Sequence, residues 1–251
     1  MKIPASPEAP QPAFRTVTPE QWRTLGTRRL FFGHQSVGGN IIDGVKAVLA
    51  DRPDIPLQVF EAAAVDSSSP PGLYEARIGR NGDPGSKTLA FDAIVGRGGA
   101  AVGILKFCFV DVEGARNPDS LFAAYQRNMD ALRARMPGLI LVHVTMPLTT
   151  TGEGRRDLLK AKLLGRPTSY DLNVIRNRYN ALLRQAYIGK EPVFDLARIE
   201  STHADGSRSF FMRGIDTVYT MAPEWTDDGG HLNDEARRMT AESFLALLAT
   251  L

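Results

Sequence analysis

Apolar runs alternate along this chain with segments whose apolar residues recur every three to four positions. The runs are RLFFG (29–33), LQVFEA (57–62), AVGILKFCFV (101–110), LILVHVT (139–145) and PVFDLA (192–197), and they predict five β-strands. Between them, Ile41, Ile42, Val45, Val48 and Leu49 form one helical stripe, and Leu121, Phe122, Tyr125, Met129, Leu132 and Met136 form a second. Val174, Ile175, Tyr179, Leu182 and Leu183 form a third, and Ala236, Met239, Phe244, Leu247 and Leu248 close the chain behind an Asn-Asp-Glu start that suits a helix N-terminus. Strands that do not alternate strictly, each followed by a helix, predict an α/β fold whose parallel sheet is covered on both faces.

Three long irregular connections interrupt this rhythm, at 63–90, 146–172 and 198–230. In an open parallel sheet, connections that follow strands gather at the strands' C-terminal edge, where ligands bind. The expected organisation is a Pro-rich lead-in over 1–27 and one α/β domain over 28–251. A formal net charge of +2, without a basic stripe, argues against a nucleic-acid partner. The basic loop residues Arg155, Arg156, Lys160, Lys162 and Arg166 offer a greeting for an acidic glycan or a solvated excursion. The single cysteine, Cys108, lies in an apolar run and rules out an internal disulfide framework. No run reaches the ~20 apolar residues of a spanning helix, so no membrane insertion is expected. The Pro-rich start would also suit a linker behind a removed signal peptide; compartment and oligomeric state stay open.

Candidate chemistry begins with FFGHQSVGGN, where Ser36 sits between the first strand and the first helical stripe. There a side chain and its own N–H meet the positive end of a helix, which suits a nucleophile beside an oxyanion; a plain helix cap uses the same residue types. A nucleophilic serine needs a base, and the chain has four histidines. His143 reads as a core imidazole and His203 as a surface one. His231, in TDDGGHLNDEA, follows Asp228 by three residues. An Asp-Xaa-Xaa-His turn brings the carboxylate onto Nδ1 and leaves Nε2 free to accept a serine proton.

With Ser in a Gly-containing turn after the first strand and Asp-Xaa-Xaa-His before the last helix, the chain resembles the SGNH/GDSL hydrolases. GHQSVGGN is similar to the first block, with Gln35-Ser36 like the Gln-Ser of sialate O-acetylesterase-type members, and DGGHLN is similar to the last block. The resemblance implies a flavodoxin-like three-layer sandwich with a five-stranded parallel sheet, and ester or acetyl hydrolysis without metal or cofactor. Ser36 would be the nucleophile, His231 the base and Asp228 its orienting acid. In RNGDPGSK, Gly82 or Gly85 would give a second oxyanion N–H, and His34 and Gln35 stand close enough in sequence to support the turn or the substrate. The third block departs: where the family carries Gly-Xaa-Asn-Asp, this chain reads LKFCFVDV. Lys106, Cys108 and Asp111 are the nearest candidates to replace the Asn donor, with Lys106 the strongest donor of the three.

The reading that follows is a serine esterase acting on an O-acyl, foremost an O-acetyl, ester of a small molecule or carbohydrate. Two rivals are a non-catalytic glycan-binding or scaffold protein of the same fold, and a phosphate or nucleotide binder using the Gly-rich turn at 33–39. The second lacks a Gly-Lys-Ser/Thr or spaced Gly-Xaa-Gly-Xaa-Xaa-Gly signature.

Overall fold

The structure, a computed structural model, describes residues 2–4, 7–8, 11–114, 117–152 and 163–251. Of the basic loop residues, Arg155, Arg156, Lys160 and Lys162 lie outside the described residues, and Arg166 is exposed.

The chain enters through α1 (Pro19–Gly26), started by a capping box in which Thr18 accepts from the Gln21 N–H and the Gln21 side chain accepts from the Thr18 N–H. Trp22 and Leu25 anchor this helix in the core. Then follow β1 (Arg29–His34), α2 (Ser36–Asp51), β2 (Val59–Glu61), β3 (Gly72–Arg77), α3 (Pro84–Val95), β4 (Val102–Leu105) and the single turn α4 (Asp111–Gly114). After α5 (Pro118–Arg135) come β5 (Ile140–Val144), α6 (Ser169–Tyr187), β6 (Val193–Phe194), α7 (Leu196–Ser201), the hairpin β7 (Phe210–Arg213) and β8 (Asp216–Tyr219), and α8 (Asp234–Ala249).

The main sheet runs β2-β3-β1-β4-β5-β6, with every pairing parallel. Its central strand is apolar in both directions. Phe32 packs with Ile41, Val45 and Phe244 on the face covered by α2 and α8, whereas Phe31 packs with Phe91 and Tyr125 on the face covered by α3, α5 and α6. The helical stripes fall where periodicity places them.

The sheet has six strands rather than five. The additional strand, β3, lies within the stretch 63–90 that reads as an irregular connection, because GLYEAR carries Glu75 and Arg77 in place of apolar residues. Glu75 is nonetheless 7% exposed, and its carboxylate lies 2.9 Å from His34 Nε2 on the neighbouring strand. The run 57–62 supplies only the short edge strand β2. The run 101–110 is strand only to Leu105, since the chain then turns so that Asp111 Oδ2 can accept the Cys108 N–H at 2.7 Å. The run 192–197 splits into β6 and the start of α7, where Asp195 caps Arg198 N–H.

From β1 the chain crosses to β2 and β3 on one side, whereas β4, β5 and β6 lie on the other. The two sets of connections diverge between β1 and β4, so a crevice opens at the C-terminal ends of those two strands, the usual ligand position in open α/β sheets. The helices that flank it, α2 and α8, are in backbone contact at Gly44, where an added Cβ would lie 2.2 Å from Arg237 O. Gly44→Ala is therefore expected to lower stability by about 1–3 kcal/mol in urea denaturation; a midpoint equal to wild type would show that the two helices are not held at contact distance.

Candidate active site

Ser36 is the first residue of α2, and its N-cap, Gln35, has extended backbone with no side-chain capping bond. The Gln35 amide is used elsewhere: Nε2 donates to Ile78 O and Gly79 O, both at 3.0 Å, tying the β1–α2 turn to the loop after β3. Gly38 N–H turns back onto Gln35 O at 2.7 Å, and the Ser36 and Val37 N–H groups ahead of it form the positive end of a 16-residue helix. The helix starts close over β1, since a Cβ at Gly38 would meet His34 Cβ at 2.3 Å. Ser36 Oγ lies 3.6 Å from Cys108 Sγ, which arrives from the turn after β4.

On the other side, Asp228 organises its own turn. Its Oδ1 accepts from Gly230 N–H at 2.9 Å and His231 N–H at 2.8 Å, and its Oδ2 lies 2.7 Å from His231 Nδ1. The His231 N–H bond, the Gly230 N–H bond and the His231 ring together hold the Asp228 carboxyl far below the usual carboxylate range against a smaller opposing effect of burial. Gly229, at φ 88°, gives the turn a conformation that favours glycine, and its carbonyl accepts from Thr150 N–H. Leu232 N–H donates to Asn40 Oδ1 at 3.3 Å, docking the turn onto α2 four residues past Ser36. The His231 ring meets the Phe109 ring edge-on, with centroids 5.5 Å apart. Ser36 touches Cys108 and His231 touches Phe109, so the two side chains flank one dipeptide. No hydrogen bond joins them directly among the described residues. A cleft of about 460 Å³ borders Asp228 and Gly229 and is lined by Thr149, Thr150, Gly152 and Ser169.

The other candidates from the sequence have different partners. His34 is 1% exposed, with Nε2 against Glu75 and Nδ1 3.1 Å from Gln35 O, so it braces the strand end. Gln35 is the loop tie described above. Gly82, at φ 78°, gives its N–H to Asp111 Oδ1 at 2.9 Å, which directs it inward. Gly85 sits in the first turn of α3 and is exposed. Lys106 is wholly buried and donates to Phe107 O at 3.0 Å, with no bond to Ser36. Burial lowers its pKa, partly opposed by Cys108 and Glu200. His143 is a core imidazole between Tyr125 Oη and Glu191, and His203 links Glu224 to Ser209.

Two arrangements escape a pattern search for chemistry, although Asp111 itself stands among the third-block candidates. Lys87 and Asp111, both with side chains 0% exposed, form a buried ion pair at 2.6 Å, and Lys87 Nζ also donates to Asn81 Oδ1. Along α6, Asn173, Arg176, Asn177 and Asn180 recur at helical spacing yet are buried. Asn173 bonds the N–H and carbonyl of Thr149, Asn180 those of Met146, and Asn177 those of Tyr219, while Arg176 Nε donates to Phe109 O at 3.1 Å. Burial depresses the Arg176 pKa to about 10. The legible signal was four carboxamide and guanidinium side chains at i, i+3, i+4 and i+7, which reads as a solvated face until loop backbone is seen to cover it.

No group of three or more His, Cys, Asp or Glu among the described residues could hold a metal ion, and no helix there is long and apolar enough to cross a membrane.

Glu200 on α7 is 1% exposed; its Oε2 accepts from Leu148 N–H and its Oε1 has no partner among the described residues. Burial, partly offset by the Leu148 N–H and by Lys106 and Arg176, pushes its pKa up to about 8 from an ordinary 4.5. A carboxyl raised on folding contributes fully below its unfolded pKa, and the contribution is lost as pH climbs through about 8. Glu200→Gln should therefore gain thermal stability relative to wild type as pH rises from about 5 to about 9; parallel melting curves across that range would contradict the burial of a neutral acid.

No protein-family model and no curated protein sequence matches the chain. Solved structures do share its fold. One, assigned as an acylhydrolase from Bacteroides fragilis, is 14% identical with a TM-score of 0.52 over 89% of this chain and 87% of that one. Another, assigned as a platelet activating factor from Streptococcus pneumonia, is 13% identical with a TM-score of 0.52 over 92% of this chain and 90% of that one.

Proposed function

We propose that this chain is an SGNH-type serine esterase that hydrolyses O-acyl esters through Ser36, His231 and Asp228. The observation that carries the reading is the Asp228–His231 turn, closed by a 2.7 Å contact to Nδ1 and tied to α2, the helix that begins with Ser36. With Nδ1 held by the carboxylate, Nε2 is the nitrogen free to act as base.

In this mechanism Ser36 Oγ forms a bond to the acyl carbon as its proton passes to His231 Nε2, and the carbonyl electron pair moves onto oxygen. The α2 N-terminus, with the Ser36 N–H, stabilises that oxyanion. The tetrahedral intermediate collapses, the alcohol leaves with the proton held by His231, and Ser36 carries the acyl group. Water, deprotonated by His231, then attacks the acyl carbon, releases the acid and returns the proton to Ser36. Asp228 keeps the ring in one tautomer and offsets the charge it gains. The likeness of Gln35-Ser36 to sialate O-acetylesterase-type members directs the substrate reading to O-acetyl groups on carbohydrate, and the hydroxyl-rich cleft beside Asp228 suits a polar alcohol.

Two observations favour a second reading, a non-catalytic glycan-binding or scaffold member: Gly82 N–H is given to Asp111, and no Asn occupies the third block. Covalent labelling separates the two. A fluorophosphonate should modify the Ser36 peptide of wild type and leave Ser36→Ala unmodified. Asp228→Asn should lower p-nitrophenyl acetate turnover by about 10³–10⁴-fold, with Asp227→Asn near wild type. Absence of labelling would leave the binding reading, and the reverse ranking of the two Asp variants would displace the acid by one residue.

A further inference from the structure

Resting on the esterase reading, we propose that the Cys108 thiol is the side-chain donor of the oxyanion site, filling the role left open by the missing third-block Asn. Three residues of the segment after β4 were candidates for that role, and the structure separates them. Asp111 is spent as an acceptor: its two oxygens receive Lys87 Nζ, Gly82 N–H and Cys108 N–H, and it is fully buried. Lys106 directs its ammonium to Phe107 O. Cys108 alone of the three reaches the nucleophile, with Sγ 3.6 Å from Ser36 Oγ.

The sulfur is held there. Its own N–H is fixed by Asp111, and Phe109, the next residue, is fixed by Arg176 through its carbonyl. The side chain is 1% exposed, so bulk water does not compete for the S–H. Gly82, one of the two glycines the resemblance offers as an oxyanion donor, gives its N–H to Asp111 instead. A thiol is a weak donor to a neutral acceptor, but hydrogen bonds to an ionised acceptor are roughly twice as strong as neutral ones. Its contribution therefore grows as the carbonyl oxygen becomes negative, which is the condition for lowering a barrier. Lys106 Nζ and Arg176 Nε hold the carbonyls on either side of Cys108, those of Phe107 and Phe109. In the acylation step the S–H stays covalently intact, and the only proton transferred is that of Ser36 to His231.

Four variants test the assignment with p-nitrophenyl acetate. Cys108→Ser keeps a donor, and Cys108→Val keeps bulk without one. Cys108→Ala removes both, and Asn81→Ala removes the exposed amide whose Oδ1 is held by Lys87. Cys108→Val and Cys108→Ala should lose about 10- to 100-fold in kcat, with KM within about twofold; this is smaller than the ~10²–10³ for an amide donor, because a thiol is weaker. Cys108→Ser should stay within about threefold of wild type, and Asn81→Ala near it. If Cys108→Ala does not fold, the Ser and Val pair alone decides. The proposal is overturned if Cys108→Val keeps wild-type kcat, if Ser and Val variants are equally slow, or if the loss falls on Asn81→Ala. Fluorophosphonate labelling of wild-type Ser36 is run alongside: without it the esterase reading fails and this inference with it, and with it a neutral Cys108→Val removes this inference alone.

Discussion

A carboxylate buried without water must have its acceptor sites filled, and at Asp111 the filling decides the shape of the crevice. Lys87 Nζ reaches both oxygens, at 2.8 and 2.6 Å, and the remaining capacity takes Gly82 N–H from the loop after β3 and Cys108 N–H from the turn after β4. Those two segments belong to strands on opposite sides of β1. One ion pair thus sets the distance between them, and Ser36 lies between. Such a pair adds little net stability over an apolar substitute, but removing one partner strands the other at about 3–5 kcal/mol. Its value here is specificity of geometry.

A second constraint holds the proposed base, His231. The Asp228 turn is ordered by its own N–H groups, so the imidazole is preset before anything binds, but the turn must also be carried to the correct place. Leu232 N–H on Asn40 and Phe109 against His231 do that, and Phe109 is positioned by Arg176 from α6. The buried amides of Asn173 and Asn180 satisfy backbone at Thr149 and Met146, outside any strand, and Asn177 does the same for Tyr219 at the end of β8.

What the sequence made legible was local. Ser36 after an apolar run, and Asp228 three residues before His231, are spacings of a few residues whose geometry follows from a turn. The apolar stripes of α2, α5, α6 and α8 were equally readable. What it hid depends on contacts distant in sequence. β3 carries Glu75, whose buried carboxylate is met by His34 from the neighbouring strand. The end of β4 at Leu105 follows from Asp111 and Lys87, 24 residues apart. Lys106 looked like the strongest donor in an apolar run, yet its burial turned it toward Phe107 O, and the weaker donor, Cys108, took the place against Ser36. Polar residues on α6 were invisible as core because their partners are loop carbonyls and amides.

The central claim is that Ser36 carries the acyl group between the two halves of hydrolysis. The most direct measurement is acid quenching during turnover of p-nitrophenyl acetate, followed by mass spectrometry of the digested chain. The account predicts one added acetyl group on the peptide containing Ser36, formed in a burst and lost on chase with water. Turnover with no acetylated peptide, or with the acetyl group on Cys108, would contradict it.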